Sequence, residues 1–281
     1  GGGAAPPPPK QFDQRPYFRL LLCLLQHLNA PDRLLDSSNL QVLAAFASAF
    51  HALQPTAAPG FAFAWLELVS HRSFMPTLLL AKQQKGWMLM HRLLVDLFLF
   101  VEPFLRRAEL TPAVQMLYKG MLRVLLVLLH DFPEFLSEYH LSFCDVIPPT
   151  CIQLRNLVLS AFPRSMRLPD PFTPNLKVDL LPEISQSPRI LSNYSAALAH
   201  GSLRQDLDAY LQTRHPPAFL AELPARLRLR SVQEAAAAGC AYSVSCVNAL
   251  VVYVGSQAIV QLQNKAANIT HSAPMDIFQQ V

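Results

Sequence analysis

Apolar residues recur over residues 15–28 at the spacing of one helix face. Phe18, Leu21, Leu22, Leu25 and Leu28 share it, and Arg19, Gln26 and Asn29 take the other. Pro16 suits a first turn, where a missing N–H costs nothing. Pro31 and Asp32 break the pattern. Residues 36–38 then offer caps for a second helix with Leu40, Leu43, Phe46, Phe50 and Leu53 inward, closed by Gln54-Pro55. The Pro59-Gly60 pair marks a turn before a short aromatic helix over 61–71. A long helix is predicted over 87–104, with Arg92 and Asp96 paired four residues apart. Thr111-Pro112 is a cap followed by proline at the first helical position. Over 114–129 the polar residues Gln115, Lys119 and Arg123 form one narrow stripe, which predicts a helix covered on most of its circumference. Two further helices are predicted over 133–146 and 151–162.

No strand-period run occurs over residues 15–162, and no alternation of strand and helix patterns. Successive helices with proline-marked loops predict an all-α fold of HEAT-like stacked hairpins, an α-solenoid. The texture then changes. Residues 163–188 hold six prolines, too many for any helix. Within them Leu176, Val178 and Leu180 alternate with Lys177 and Asp179, which predicts an extended segment with one apolar edge, suited to a groove between helices. Helices resume near Asn193 and over 202–215, with Ser202 and Gln205 at capping-box spacing. A further helix carries Val244, Val247, Val251, Val254 and Ala258 on one apolar face. The chain closes on what reads as the start of another helix, residues 276–281. The expected organisation is a Gly/Pro linker over 1–10, a first helical stack over 11–162, the proline-rich segment over 163–190, and a second, incomplete helical part over 191–281.

Composition sharpens this picture. Of 281 residues, 52% are hydrophobic and 15% charged, where soluble domains average about 25% charged. The shortage has a place: residues 231–281 hold only Glu234, Lys265 and Asp276. Surface of that kind suits burial by further helices or by a partner. No uninterrupted apolar run approaches the ~18 residues of a membrane span, and no signal peptide is visible, so a soluble, intracellular chain is expected. The net charge of +4 is too mild to argue for nucleic acid. The densest basic cluster, Arg226, Arg228 and Arg230, alternates with leucines and reads equally as a solvated face.

Catalytic signatures are missing: no Gly-x-Ser-x-Gly elbow, P-loop, His-Glu-x-x-His or dinucleotide fingerprint occurs. No enzyme activity, cofactor or metal is therefore expected. His27, His51, His71 and His91 recur every 20 or 24 residues without a second ligand at helical spacing, and each is placed near a helix end to meet the last carbonyls. His130 and Asp131, adjacent on a helix, are not expected to face each other. The five cysteines form no Cys-x-x-Cys pair and read as buried thiols.

Several stretches carry a resemblance: RPYFR at 15–19, NLQVL at 39–43, PGFAFAWLE at 59–67 and LRVLLVLLHDFPEFL at 122–136. With them come SFCDVIPP at 142–149, RLPDPFTPNLKVDLLP at 167–182 and THSAPMDIF at 270–278. Over about residues 11–281 the chain resembles the C-terminal domain of Not-one, the scaffold subunit of the Ccr–Not deadenylase complex. The stretch at 231–239 and the short segment 264–268 depart from that pattern, and the chain reads as a fragment or shortened isoform of a longer domain. The resemblance implies a helical HEAT-like stack that docks Not-two and Not-three type subunits, and in some animals short peptides of RNA-binding repressors. It implies a setting of mRNA deadenylation, decay and translational repression, in the cytoplasm including P-bodies and in the nucleus.

Two classes of function follow. One is a non-catalytic scaffold whose apolar side chains Phe172, Leu176, Val178, Leu180 and Ile184 contact a partner, packing of that segment on its own domain being the competing reading. The other is direct RNA binding through Arg226, Arg228, Arg230, Arg164 and Arg167, with the salt dependence that phosphate contacts impose.

Overall fold

Thirteen α-helices make up the described part of the chain, a computed structural model that covers residues 12–28, 39–167, 169–177, 180–182, 186–187, 189–199, 201–263 and 272–281. Among these residues there is no β-strand; the sole ladder contact is an isolated antiparallel bridge between Arg228 and Tyr242. The helices are α1 (Arg15–Leu28), α2 (Asn39–Ala52), α3 (Ala62–Val69), α4 (Met75–Leu79), α5 (Trp87–Arg107), α6 (Pro112–Asp131), α7 (Pro133–Val146) and α8 (Ile152–Leu159). After the proline-rich segment come α9 (Leu203–Thr213), α10 (Ala218–Arg226), α11 (Val232–Ala238), α12 (Val244–Gln263) and α13 (Ala273–Phe278). The expected caps at 36–38 and the departure at 264–268 lie outside the described residues.

The chain divides into two compact units. One runs to Leu136 and resumes over Val146–Ala161; the other takes Ser137–Asp145 from α7 and Phe162–Val281. In the first, α2 and α4 pack on α5, α1 on α3, and α6 on α3, α5 and α8. Trp65 and Trp87 are buried, so their indole N–H groups need partners. Trp65 donates to the Phe50 carbonyl at 2.6 Å and Trp87 to the Leu79 carbonyl at 3.0 Å. Edge-on ring contacts, Phe50 on Phe74 and Trp87 on Phe135, fill the space between. In the second unit, α9, α10, α12 and α13 close around Leu207, Tyr210, Phe219, Leu223, Leu250, Val254 and Ile277.

Several expectations are corrected. Asp96 does not pair with Arg92; it is buried and meets His51 of α2. His27 reaches a carbonyl of its own last turn, that of Cys23 at 2.8 Å, as expected. His71 accepts from the Ser73 N–H, and His91 lies inside α5. His130 and Asp131 do meet, at 2.7 Å, because α6 ends there and frees both side chains. The Ser202 hydroxyl donates to Asp206 at 2.6 Å instead of capping α9. The thiols are not all buried: Cys144 and Cys246 are, Cys23 is exposed, and Cys151 and Cys240 are half-buried.

Two helix faces also differ. α6 buries Leu117, Met121, Val124, Leu125 and Leu128, while Met116, Leu126 and Val127 lie exposed beside its polar stripe. On α12 the buried residues are Cys246, Ala249, Leu250 and Val254, roughly a quarter-turn round from the expected face. Val244 and Val251 are exposed. Residues 276–281 are not the start of a helix but the end of a short, docked one, with Ala273, Pro274 and Ile277 buried. Both α6 and residues 244–261 of α12 are long and apolar enough, by length and composition, to cross a bilayer. Lys119 and Arg123 interrupt the first and Asn248 and Gln257 the second, so neither is an unbroken apolar run; each packs one face into its unit as a core helix does.

Candidate docking surfaces

The described residues between 163 and 182 form a succession of turns, and Val178 and Asp179, in the middle of the expected extended stretch, lie outside them. The Asp170 side chain accepts from the Phe172 N–H at 2.9 Å, and its carbonyl accepts from the Thr173 N–H at 3.0 Å. The Thr173 carbonyl then accepts from the Leu176 N–H, and Asn175 takes a left-handed φ of 59°. Asp170 with prolines one and four residues on has this effect: the aspartate closes a local turn, and Pro171 and Pro174 deny the N–H groups that a longer hydrogen-bonded element needs. Turning in this way leaves side chains outward. Phe172 is 89% exposed and Leu180 75% exposed, while Leu176 is half-buried. Val178 and Ile184 lie outside the described residues. The segment's far end is tied down: the Glu138 carbonyl of α7 accepts from the Leu191 N–H at 2.9 Å, and the buried Glu138 carboxylate pairs with Arg189 at 3.1 Å.

A second apolar surface was not among those expected from the sequence. α1 is apolar on two sides. Its inner stripe buries Leu25, and Tyr17, Leu20, Leu24 and Leu28 stand exposed on the outside. Phe12 stacks on Tyr17 with ring centroids 5.6 Å apart. Together with Leu20, Leu21, Leu53 and Phe61 they line a cavity of about 410 Å³ whose walls carry almost no polar surface. The signal was present, since 17, 20, 24 and 28 also follow helical spacing. A smaller hollow of about 280 Å³ lies along α5, between Leu99, Phe100, Pro103 and Phe104.

A polar concavity of about 900 Å³ belongs to the second unit; Arg226, Arg228 and Arg230 line it, but so do Asp206, Glu222 and Glu234. Arg226 is spent within the fold. It pairs with Asp206 at 2.8 Å and lies over the Phe219 ring. The hydrogen bond from the Ser202 hydroxyl, and then the bond and charge of Arg226, hold the Asp206 carboxyl below its ordinary range. Arg228 stacks on Tyr242. No cluster of three or more His, Cys, Asp or Glu side chains that could hold a metal occurs among the described residues.

The profile of the family described as "CCR4-Not complex component, Not1" matches residues 24–281. The chain belongs to the Not1 family. Among curated relatives, the CCR4-NOT transcription complex subunit let-711 of Caenorhabditis elegans is 43% identical over 285 residues, covering 96% of this chain and 11% of its own length. The general negative regulator of transcription subunit 1 of Saccharomyces cerevisiae is 36% identical over 72% of this chain and 10% of that protein. The chain therefore spans about a tenth of the Not1 relatives it matches. Among solved structures, the NOT1 superfamily homology domain from Chaetomium thermophilum has a TM-score of 0.83 at 26% identity, covering 96% of this chain and 54% of that one. A Not1 C-terminal domain solved in complex with Not4 has a TM-score of 0.78 at 28% identity, covering 96% and 57%. These neighbours carry the same helical, solenoid-like architecture as this Not1-family chain.

Proposed function

We propose that this chain is a non-catalytic docking module of a CCR4–Not assembly, and that Phe172 and Leu180 are among the side chains that enter a partner. The observation that carries the proposal is their exposure. An aromatic ring and a leucine held in water by a segment anchored at Glu138 gain about 1.5–3 kcal/mol each when a partner covers them. The similar Not1 C-terminal domain was solved with Not4 bound, which supports CCR4–Not subunits as the class of partner. The occupants proposed are Not-two and Not-three type subunits, with short repressor peptides suited to the apolar cavity beside α1. In that assembly the module would support mRNA deadenylation, decay and translational repression, in the cytoplasm with its P-bodies and in the nucleus. The pairing of Arg226 with Asp206 and the carboxylates beside Arg228 and Arg230 weigh against the alternative of direct RNA binding. A pull-down of the Not-two/Not-three type heterodimer by this chain, washed in high salt, tests the reading. Retention supports it, and loss of the heterodimer at every salt concentration sinks it.

A further inference from the structure

Thr173 stands between Phe172 and Pro174 on the turn-rich segment. It is exposed, and its hydroxyl has no hydrogen-bond partner among the described residues. The following proline biases Thr173 away from the helical region toward extended backbone, the conformation in which a protein kinase holds its substrate strand. Another Thr-Pro pair gives a contrast within the same chain. Thr111 precedes Pro112, but its hydroxyl accepts from the Val114 N–H as the N-cap of the twenty-residue α6. Presenting Thr111 to an enzyme would require unwinding a packed helix; presenting Thr173 requires opening only one or two turn hydrogen bonds.

We infer that Thr173 is a phosphorylation site for a proline-directed serine/threonine protein kinase, and that the phosphate switches off docking through Phe172. The Thr173 Oγ attacks the γ-phosphorus of kinase-bound MgATP. A new O–P bond forms, the bond to the β-bridging oxygen breaks with its electron pair leaving on ADP, and the hydroxyl proton passes to the kinase's base. The phosphate brings a charge of about −1.5 to −2 at pH 7. It lies next to the ring that must lose its water on docking and three residues from the Asp170 carboxylate that holds the turn. Covering Phe172 would then mean desolvating a dianion or pulling it out of the contact, and the repulsion from Asp170 opens the turn that presents the ring. The switch rests on the docking role proposed for Phe172; the modification does not.

The test uses the 281-residue chain, a purified proline-directed kinase and MgATP, with peptide mass spectrometry to locate the phosphate. Phosphate is expected at Thr173, lost in Thr173→Ala and Pro174→Ala and kept in Thr111→Ala. Incorporation confined to Thr111 or Ser187, or none at all, overturns the site. The phosphorylated and unmodified chains are then titrated with the Not-two/Not-three type heterodimer. Binding weakened by about tenfold or more is expected, the scale of burying a charge in an apolar contact. Equal affinity of the two forms overturns the switch. Failure of the unmodified chain to bind would instead count against the docking role, and the phosphate map would stand unaffected.

Discussion

His51 Nδ1 lies 2.6 Å from Oδ2 of Asp96, joining the last turn of α2 to the middle of α5. The carboxylate is almost wholly buried and the imidazole partly so. Burial pushes the Asp96 carboxyl above its ordinary range, against the lowering effects of the His51 hydrogen bond and charge and of Arg92. His51→Ala leaves that carboxylate without its bonded partner and is expected to cost about 2 kcal/mol in chemical denaturation, the desolvation left uncompensated. Because the folded state takes up the Asp96 proton before the unfolded chain does, Asp96 makes stability rise as pH falls from its raised folded value toward the ordinary carboxylate value. Asp96→Asn should flatten that part of the stability–pH curve. An unchanged curve would remove the role assigned to the pair.

His91, five residues earlier on α5, acts with the opposite sign. Burial lowers its pKa from 6.5 to about 4, so between those values the unfolded chain carries a proton the folded one lacks. Stability is full above 6.5 and is lost as pH falls toward 4, by up to about 3 kcal/mol. His91→Gln should lose part of that acid sensitivity in thermal melts taken at stepped pH. A variant as acid-sensitive as the parent would contradict it.

Gly86 precedes α5 where a Cβ would lie 2.0 Å from the Leu78 carbonyl oxygen, a backbone atom that cannot turn aside. Gly86→Ala is expected to cost about 3 kcal/mol through forced backbone movement. At Gly120 of α6 the Cβ would meet only the tip of Leu66, at 2.8 Å. That side chain can rotate, and alanine's better helix propensity returns about 1 kcal/mol, so Gly120→Ala should be far milder. Comparable losses of melting temperature for the two would show that the helix spacing adapts more freely than these distances allow.

Ile277 is fully buried although it lies only four residues before Val281, in the core with Tyr210 and Leu250. Asp276 beside it takes hydrogen bonds from Tyr210 and Arg214 of the α9 region. Ile277→Ala should lower stability by about 3 kcal/mol, as a core truncation does. A loss of a few tenths, typical of a frayed end, would mean that α13 is not part of the packed unit.

The all-α architecture was legible because helix periodicity and proline punctuation agree from Arg15 onward. Orientation was legible only where polar residues mark a single outer side. α12 has valine, alanine and glycine almost all round, so spacing could not choose between the stripe through Val251 and the one through Leu250. Tertiary partners overrode local chemistry elsewhere. Ser202 has the letters of a cap, yet its hydroxyl donates to Asp206, which Arg226 from α10 also holds, and its oxygen takes no cap hydrogen bond from α9. The apolar residues of the proline-rich segment were legible as candidates, but the exposure of Phe172 and Leu180 was not. Turn closure by Asp170 and Asn175 decides which way Phe172 points, and no periodic pattern encodes that.

The most direct measurement is the dissociation constant of the Not-two/Not-three type heterodimer for this chain and for its Phe172→Asp/Leu180→Asp variant, taken with their melting temperatures. Because both side chains stand in solvent, the variant should melt within a degree or two of the parent. Its binding should weaken by about a hundredfold, as expected when two apolar anchors of about 1.5 kcal/mol each are lost. A variant that binds as tightly as the parent would contradict the docking role, and one that unfolds would show that the segment instead packs on its own domain.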